Sequence, residues 1–295
     1  MSALATALAE VAPTAERLSR LSERAFQNPY TTVDWPSTVE PEADWFTSPE
    51  YVSLYGTDVW PGLDEKARKR LAFHEAAGFY SLNIHGEKSL MQGLAARLYR
   101  SDLAAFTGYL HHFLDEENKH SVYFGGFCTR YARVHRTRQL PFATERPRDV
   151  DDFLFFAKTM IFEEIVDHCN RIQARDRRLH PLARFINDSH HRDEARHLAF
   201  GRQLTAALWA AAAPGWEPAV IDEIRADLHR FLAASWRDYY HPDVYADAGF
   251  AEPWELADLA WCTPAQREHR RRVSAKCLRV LTAAGVLTEE PSDAF

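Results

Sequence analysis

No stretch of this 295-residue chain reaches the ~18 consecutive apolar residues of a membrane-spanning helix. The first twelve residues are small and apolar, but they lack a basic leader and Glu10 interrupts them, so they do not read as an export signal. Cysteine is scarce. Cys128, Cys169, Cys262 and Cys277 lie far apart with no CxxC pair. That excludes a disulfide framework or thiolate zinc site and points to reduced, buried thiols in a cytoplasmic protein. Excess positive charge is also missing. Net charge is −7, and the basic runs at 130–138 and 175–178 are short and interrupted. They read as solvated helix ends, which excludes a nucleic-acid face. GxGxxG, P-loop and GxSxG patterns are absent.

What the chain does contain is helix. Residues 1 to about 27 form one helical stretch, and 28–62, rich in Pro, Trp, Thr and Ser, read as an irregular wrap. From Asp64 to about Arg100 there is no proline, and Leu71, Phe79, Leu82, Leu90, Leu94 and Leu98 recur at helical spacing. Ser101-Asp102 offers an N-cap for a second long helix reaching about His135. After a loop with Pro141 and Pro147, Asp149 can cap a third helix to about Arg178. Pro181 suits the first turn of a fourth, which ends before Pro214-Gly215. Two more helices are expected near 217–240 and 264–285. No strand run stands out. The pattern predicts an all-α protein with a four-helix bundle core. It predicts one domain over 1–295, with the core at 63–212 and C-terminal helices at 213–295. Gly125-Gly126, inside a helix, reads as a close packing contact.

Two ExxH motifs carry the chemistry: Glu117-Asn118-Lys119-His120 and Glu194-Ala195-Arg196-His197. Residues three apart share a helix face, so each pair can hold a metal. With 22 Glu and 14 His in the chain, chance alone gives about one such motif. Placement adds what the motif lacks. Glu87 precedes Glu117 by 30 residues and Glu163 precedes Glu194 by 31. Each module spans one helix hairpin. In the first, legs of ~20 and ~22 Å return the two acids to one depth; in the second the legs are ~22 and ~18 Å. Four carboxylates carry −4, which two Fe(II) ions would neutralise. Oxygen and imidazole donors suit iron, or manganese as a substitute, better than zinc.

Glu163 and Glu164 compete for the third acid. Glu163 shares its face with Phe156, Met160 and Val166, whereas Glu164 shares a wetter one with Asp167, His168 and Arg171, so Glu163 is preferred. His190 lies one turn before Glu194 and completes HxxxExxH; neighbouring His191 is slightly off-line. Asp115, Asp167 and Asp193 are candidate acceptors for ligand imidazoles, although exposure to solvent is the commoner fate of such acids. Phe113, Phe156, Tyr80 and Tyr123 read as core rather than pocket wall.

The blocks Leu114-Asp115-Glu116-Glu117-Asn118-Lys119-His120, Ile161-Phe162-Glu163-Glu164-Ile165 and His190-His191-Arg192-Asp193-Glu194-Ala195-Arg196-His197 resemble the ferritin-like diiron oxygenases related to p-aminobenzoate N-oxygenase. So does the tail Tyr240-His241-Pro242-Asp243-Val244-Tyr245 followed by Ala248-Gly249-Phe250. The resemblance covers roughly 45–290. It implies a ferritin-like bundle and two irons held by Glu87, Glu117, His120, Glu163, His190, Glu194 and His197, with His190 the additional ligand. It also implies O2 as co-substrate, an external electron donor, and a small, aromatic amine oxidised through hydroxylamine and nitroso to nitro. The alternatives are a diiron hydroxylase or desaturase acting on a C–H bond of a carrier-tethered substrate, and a ferritin-like iron-binding protein. Bundles of this kind often pair, so a homodimer is a natural expectation.

Overall fold

The computed structural model describes residues 3–136, 146–289 and 295, and Pro141 of the predicted third loop lies outside them. The elements are α1 (Ala3–Ala25), α2 (Glu65–Arg97), α3 (Thr107–Tyr131), α4 (Arg148–Arg175), α5 (Pro181–Ala212), α6 (Pro218–Asp238), α7 (Pro242–Asp247), α8 (Pro253–Cys262) and α9 (Pro264–Ala283). No strand occurs among the described residues; Trp45 and Leu179 form one isolated bridge. The protein is all-α, as its periodicity predicts. The two short helices, α7 and α8, are additions. With six and ten residues they are too short to show a period, although a proline opens each.

Helix starts follow side-chain chemistry, not always with the expected residue. Asp64 caps α2, its carboxylate accepting from the Ala67 N–H at 2.7 Å. Ser101 caps nothing. Residues Ser101–Phe106 form a 3-10 turn and α3 begins at Thr107. The Asp102 carboxylate is held instead by Arg100 at 2.7 Å and Arg148 at 2.9 Å. Nor does Asp149 cap α4, which starts at Arg148; the indole N–H of Trp216 donates to Asp149 at 2.6 Å. Pro181 opens α5 as expected, and the His180 ring accepts from the Leu182 N–H at 3.1 Å.

Two antiparallel hairpins form the core, α2 with α3 and α4 with α5. α1 lies across α3 and α5, while α6 and α9 cover α4. Every residue from Asp152 to Asp167 on α4 is buried. A helix covered on all sides must satisfy any polar group it carries from within the protein. This matters for Glu163. Cys128, Cys169 and Cys277 are buried, but Cys262, at the end of α8, is exposed, against the reading of four buried thiols. Of the glycine pair, only Gly126 makes a close contact, with the Trp35 ring; Gly125 has open space.

α2 approaches α4 closely through two glycines. A Cβ on Gly86 would lie 2.5 Å from the Phe162 ring, and one on Gly93 only 2.0 Å from Phe155. Gly93→Ala should therefore lower stability by about 1–3 kcal/mol through overpacking, outweighing the gain of up to ~1 kcal/mol in helix propensity. A denaturant titration showing Gly93→Ala as stable as the parent would contradict this packing.

Candidate metal centre

The seven side chains singled out by spacing converge. Glu87 comes from α2, Glu117 and His120 from α3, Glu163 from α4, and His190, Glu194 and His197 from α5. None is more than 3 % exposed. They form two adjoining groups, Glu87–His120–His190 and Glu117–Glu163–Glu194–His197, with one donor atom of each residue within 4.8 Å of the others in its group. Glu117 spans both: one oxygen lies 2.8 Å from His197 Nδ1 and the other 3.3 Å from His120 Nδ1. Glu194 Oε1 lies 3.2 Å from His190 Nε2, 3.5 Å from His197 Nδ1 and 3.7 Å from His120 Nδ1. His190 Nε2 also lies 3.3 Å from Glu87 Oε1. The ExxH pair Glu117–His120 is thus divided between the groups rather than confined to one.

Glu164, one helical step from Glu163, points elsewhere and pairs with Arg202 and, at 3.3 Å, with Lys276. His191 also turns away, its Nδ1 lying 2.5 Å from Asp167. Neither belongs to a cluster.

Electrostatics make this arrangement costly unless a cation is present. Burial pushes the carboxyls of Glu117, Glu163 and Glu194 well above the usual range, and the carboxylates around each push the same way. Burial also lowers His120 and His190 to about 4, so both imidazoles are neutral near pH 7. Both oxygens of Glu163 and of Glu194, Glu117 Oε1 and His197 Nδ1 are buried without a properly aligned hydrogen bond. Such atoms cost several kcal/mol each when left uncompensated. Four carboxyl groups and three imidazoles facing one space are the oxygen and nitrogen donors that iron or manganese takes. The residues present fit a pair of such ions.

Each imidazole is held from behind. His120 Nε2 meets Asp193 Oδ2 at 3.1 Å, and His197 Nε2 meets Glu116 Oε2 at 2.8 Å. His190 Nδ1 lies against the side-chain amide nitrogen of Asn170, whose Oδ1 is buried without a partner; turning the amide over would let Oδ1 accept the Nδ1–H. Behind His120 and His197, the carboxylate contacts favour the proton on the outer nitrogen and leave the inner one free to bind metal. Cations brace the acceptors. Lys119 Nζ is 2.6 Å from Asp193. Arg196 bridges Asp193 and Glu116 and donates to Ser22 Oγ of α1 at 3.0 Å. Burial alone would raise the Asp193 carboxyl, but His120 and Lys119 outweigh it and hold the group far below its ordinary value. Glu116 is lowered likewise, with His197 and Arg196 overcoming burial.

Of the three acids considered as acceptors, Asp115 is exposed, whereas Asp193 and Asp167 are buried and each engages a histidine. Asp193 thus serves a histidine of the cluster, whereas Asp167 serves His191, outside it, and both are buried where exposure is the commoner expectation. Glu116, Asn170, Lys119 and Arg196 carry no signal in the sequence. Their roles depend on which way a side chain turns between two helices, and spacing alone gives no sign of it.

Aromatic rings seal the rest. Phe113 stacks on His197 with centroids 3.9 Å apart, and Phe124 tilts against His190 at 5.0 Å. Phe113, Phe156, Tyr80 and Tyr123 are all buried, as expected of core. A separate cavity of about 50 Å³ lies between α2, α4, α6 and α9. Phe79 of α2 and Cys169 of α4 are the lining residues nearest in sequence to Glu87 and Glu163. They stand ~12 and ~9 Å along their helices from those acids. Cys169 directly precedes Asn170, the partner of His190.

No curated protein shows a significant match to the chain. Among solved structures, an R2-like ligand-binding oxidase from Sulfolobus acidocaldarius aligns with TM-score 0.48 and 14 % identity, over 95 % of this chain and 93 % of that one. The family profile described as P-aminobenzoate N-oxygenase AurF matches residues 9–285, beginning within α1 and ending just after α9. The chain belongs to the p-aminobenzoate N-oxygenase AurF family, a family of ferritin-like diiron oxygenases.

Proposed function

We propose that Glu87, Glu117, His120, Glu163, His190, Glu194 and His197 hold two iron ions, and that the protein oxidises the nitrogen of a small aromatic amine to hydroxylamine, nitroso or nitro products. The observation behind this reading is the double cluster of buried carboxyls, in which both oxygens of Glu163 and Glu194 and one of Glu117 lack a hydrogen-bond partner, facing imidazoles of which His120 and His197 have their outer nitrogens already engaged. When bound, the irons supply the electrons that reduce O2 and the oxidising capacity that reaches the substrate. The protein's own part is positional. Asp193 and Glu116 fix the rings of His120 and His197 and keep a lone pair on each inner nitrogen. Glu117 and Glu194, within reach of both groups, set the spacing between them. Phe113 and Phe124 keep water from the histidine side. The cavity ending at Phe79 and Cys169 supplies room for the amine. An external donor returns the electrons that each turnover with O2 consumes.

Three outcomes check this reading. Iron-loaded protein given an aryl amine, O2 and a chemical reductant should release N-oxygenated product, detectable by mass spectrometry. Hydroxylation of carbon instead of nitrogen, or mineral formation without product, would overturn the assignment. Glu163→Ala should lose bound iron by elemental analysis, while Glu164→Ala keeps its iron and loses only the ion pairs to Arg202 and Lys276; the reverse order would exclude Glu163. Asp193→Asn should weaken iron binding or turnover roughly 10–100-fold, the usual cost of removing an outer partner of a metal-bound histidine. Unchanged metal affinity and turnover would show that Asp193 does not act through His120.

A further inference from the structure

The cavity between α2, α4, α6 and α9 carries ionisable side chains of one sign only among the described residues. Glu75 and Asp238 line it, and no lysine or arginine does among the described residues. The histidine in its wall, His269, is held down to about 3 by burial and by Arg272, so it is neutral. The guanidinium groups behind this wall touch its residues but do not line the cavity. Arg270 donates to the Tyr240 hydroxyl at 3.0 Å and to the Trp261 carbonyl at 2.8 Å. Arg272 is exposed on the outer surface, with Nη2 3.1 Å from His269 Nδ1. A carboxylate entering the cavity finds no fixed positive partner.

Glu75 is the reverse case, an acid awaiting one. Its carboxylate accepts the Ser53 N–H at 2.9 and 3.0 Å, together with the Ser53 hydroxyl. Ser53 is itself 2.7 Å from the Tyr245 hydroxyl. No basic side chain among the described residues forms an ion pair with Glu75. The residue is only half-buried because it faces the cavity. Burial pushes its carboxyl up to about 7 even though the Ser53 bonds favour the charged form. Nearby, Gln173 Oε1 and the Tyr239 hydroxyl are buried without hydrogen-bond partners, and both residues line the same space.

We propose that Glu75 selects the substrate: the cavity takes an amine whose far end is cationic or hydrogen-bond-donating, and disfavours one ending in a carboxylate. This rests on the amine-oxygenase reading of the metal cluster. Discrimination follows from charge, because a site with a buried acid and no cation leaves an incoming carboxylate unpaired beside a like charge.

A matched pair of ligands tests the proposal: 4-(3-aminopropyl)aniline and 3-(4-aminophenyl)propanoate, similar in length and opposite in charge at the far end. Calorimetric titration of the iron-loaded protein should show the diamine binding at least about tenfold more tightly. Glu75→Gln keeps an acceptor for Ser53 and removes the charge, and should abolish that preference at an unchanged melting temperature. Tighter binding of the propanoate, or a preference that Glu75→Gln leaves intact, overturns the proposal. Product analysis separates it from the reading beneath it. Diamine preference without any N-oxygenated product defeats the oxygenase reading and leaves the cavity assignment standing. N-oxygenation with the propanoate as the better substrate does the opposite.

Discussion

Mutual repulsion among buried carboxylates governs how this protein is built. Glu117, Glu163 and Glu194 share a space from which water is excluded, and each makes it harder for the others to ionise. Such a cluster persists in a fold only if something else offsets it. Two features do so. The inward face is arranged for cations, and the outward face is braced by Lys119 and Arg196, which hold Asp193 and Glu116 ionised behind the histidines. Negative charge at the centre is thus enclosed by positive charge one layer out, and the imidazoles are the boundary between the two.

The long helices are what allow this arrangement. A polar group on α4 between Asp152 and Asp167 has no route to solvent, because α2, α5, α6 and α9 surround that stretch. Gly86 and Gly93 bring α2 against the α4 rings Phe162 and Phe155. The near contact sets how far Glu87 reaches toward the other hairpin. Close backbone packing and metal geometry are therefore one problem, since a small displacement of α2 moves a candidate ligand.

Much of this was legible in the sequence because it follows from periodicity and counting. Matching separations of 30 and 31 residues placed four acids at one depth, and the one-turn offset of His190 from Glu194 aimed it inward. The apolar company of Glu163 separated it from Glu164, since a 100° step on a helix moves a side chain from core to rim. Other features had no such signature. Ser101 and Asp149 look like helix caps, but Asp102 is taken by arginines and Asp149 by Trp216, partners distant in sequence. Asp193 reads as a surface acid until α3 is packed beside it. Glu75 sits on a helix face that only the wrap at 28–62 and the C-terminal helices turn into a cavity wall.

The chain of contacts from Ser22 through Arg196 and Glu116 to His197 joins the N-terminal helix to the heart of the molecule. Linkage of this kind is reciprocal in free energy. Whatever fixes the His197 ring also favours α1 in its docked position, and whatever peels α1 away loosens that ring to the same degree. A segment that looks like an appendage in the order of the chain is thermodynamically part of the buried cluster.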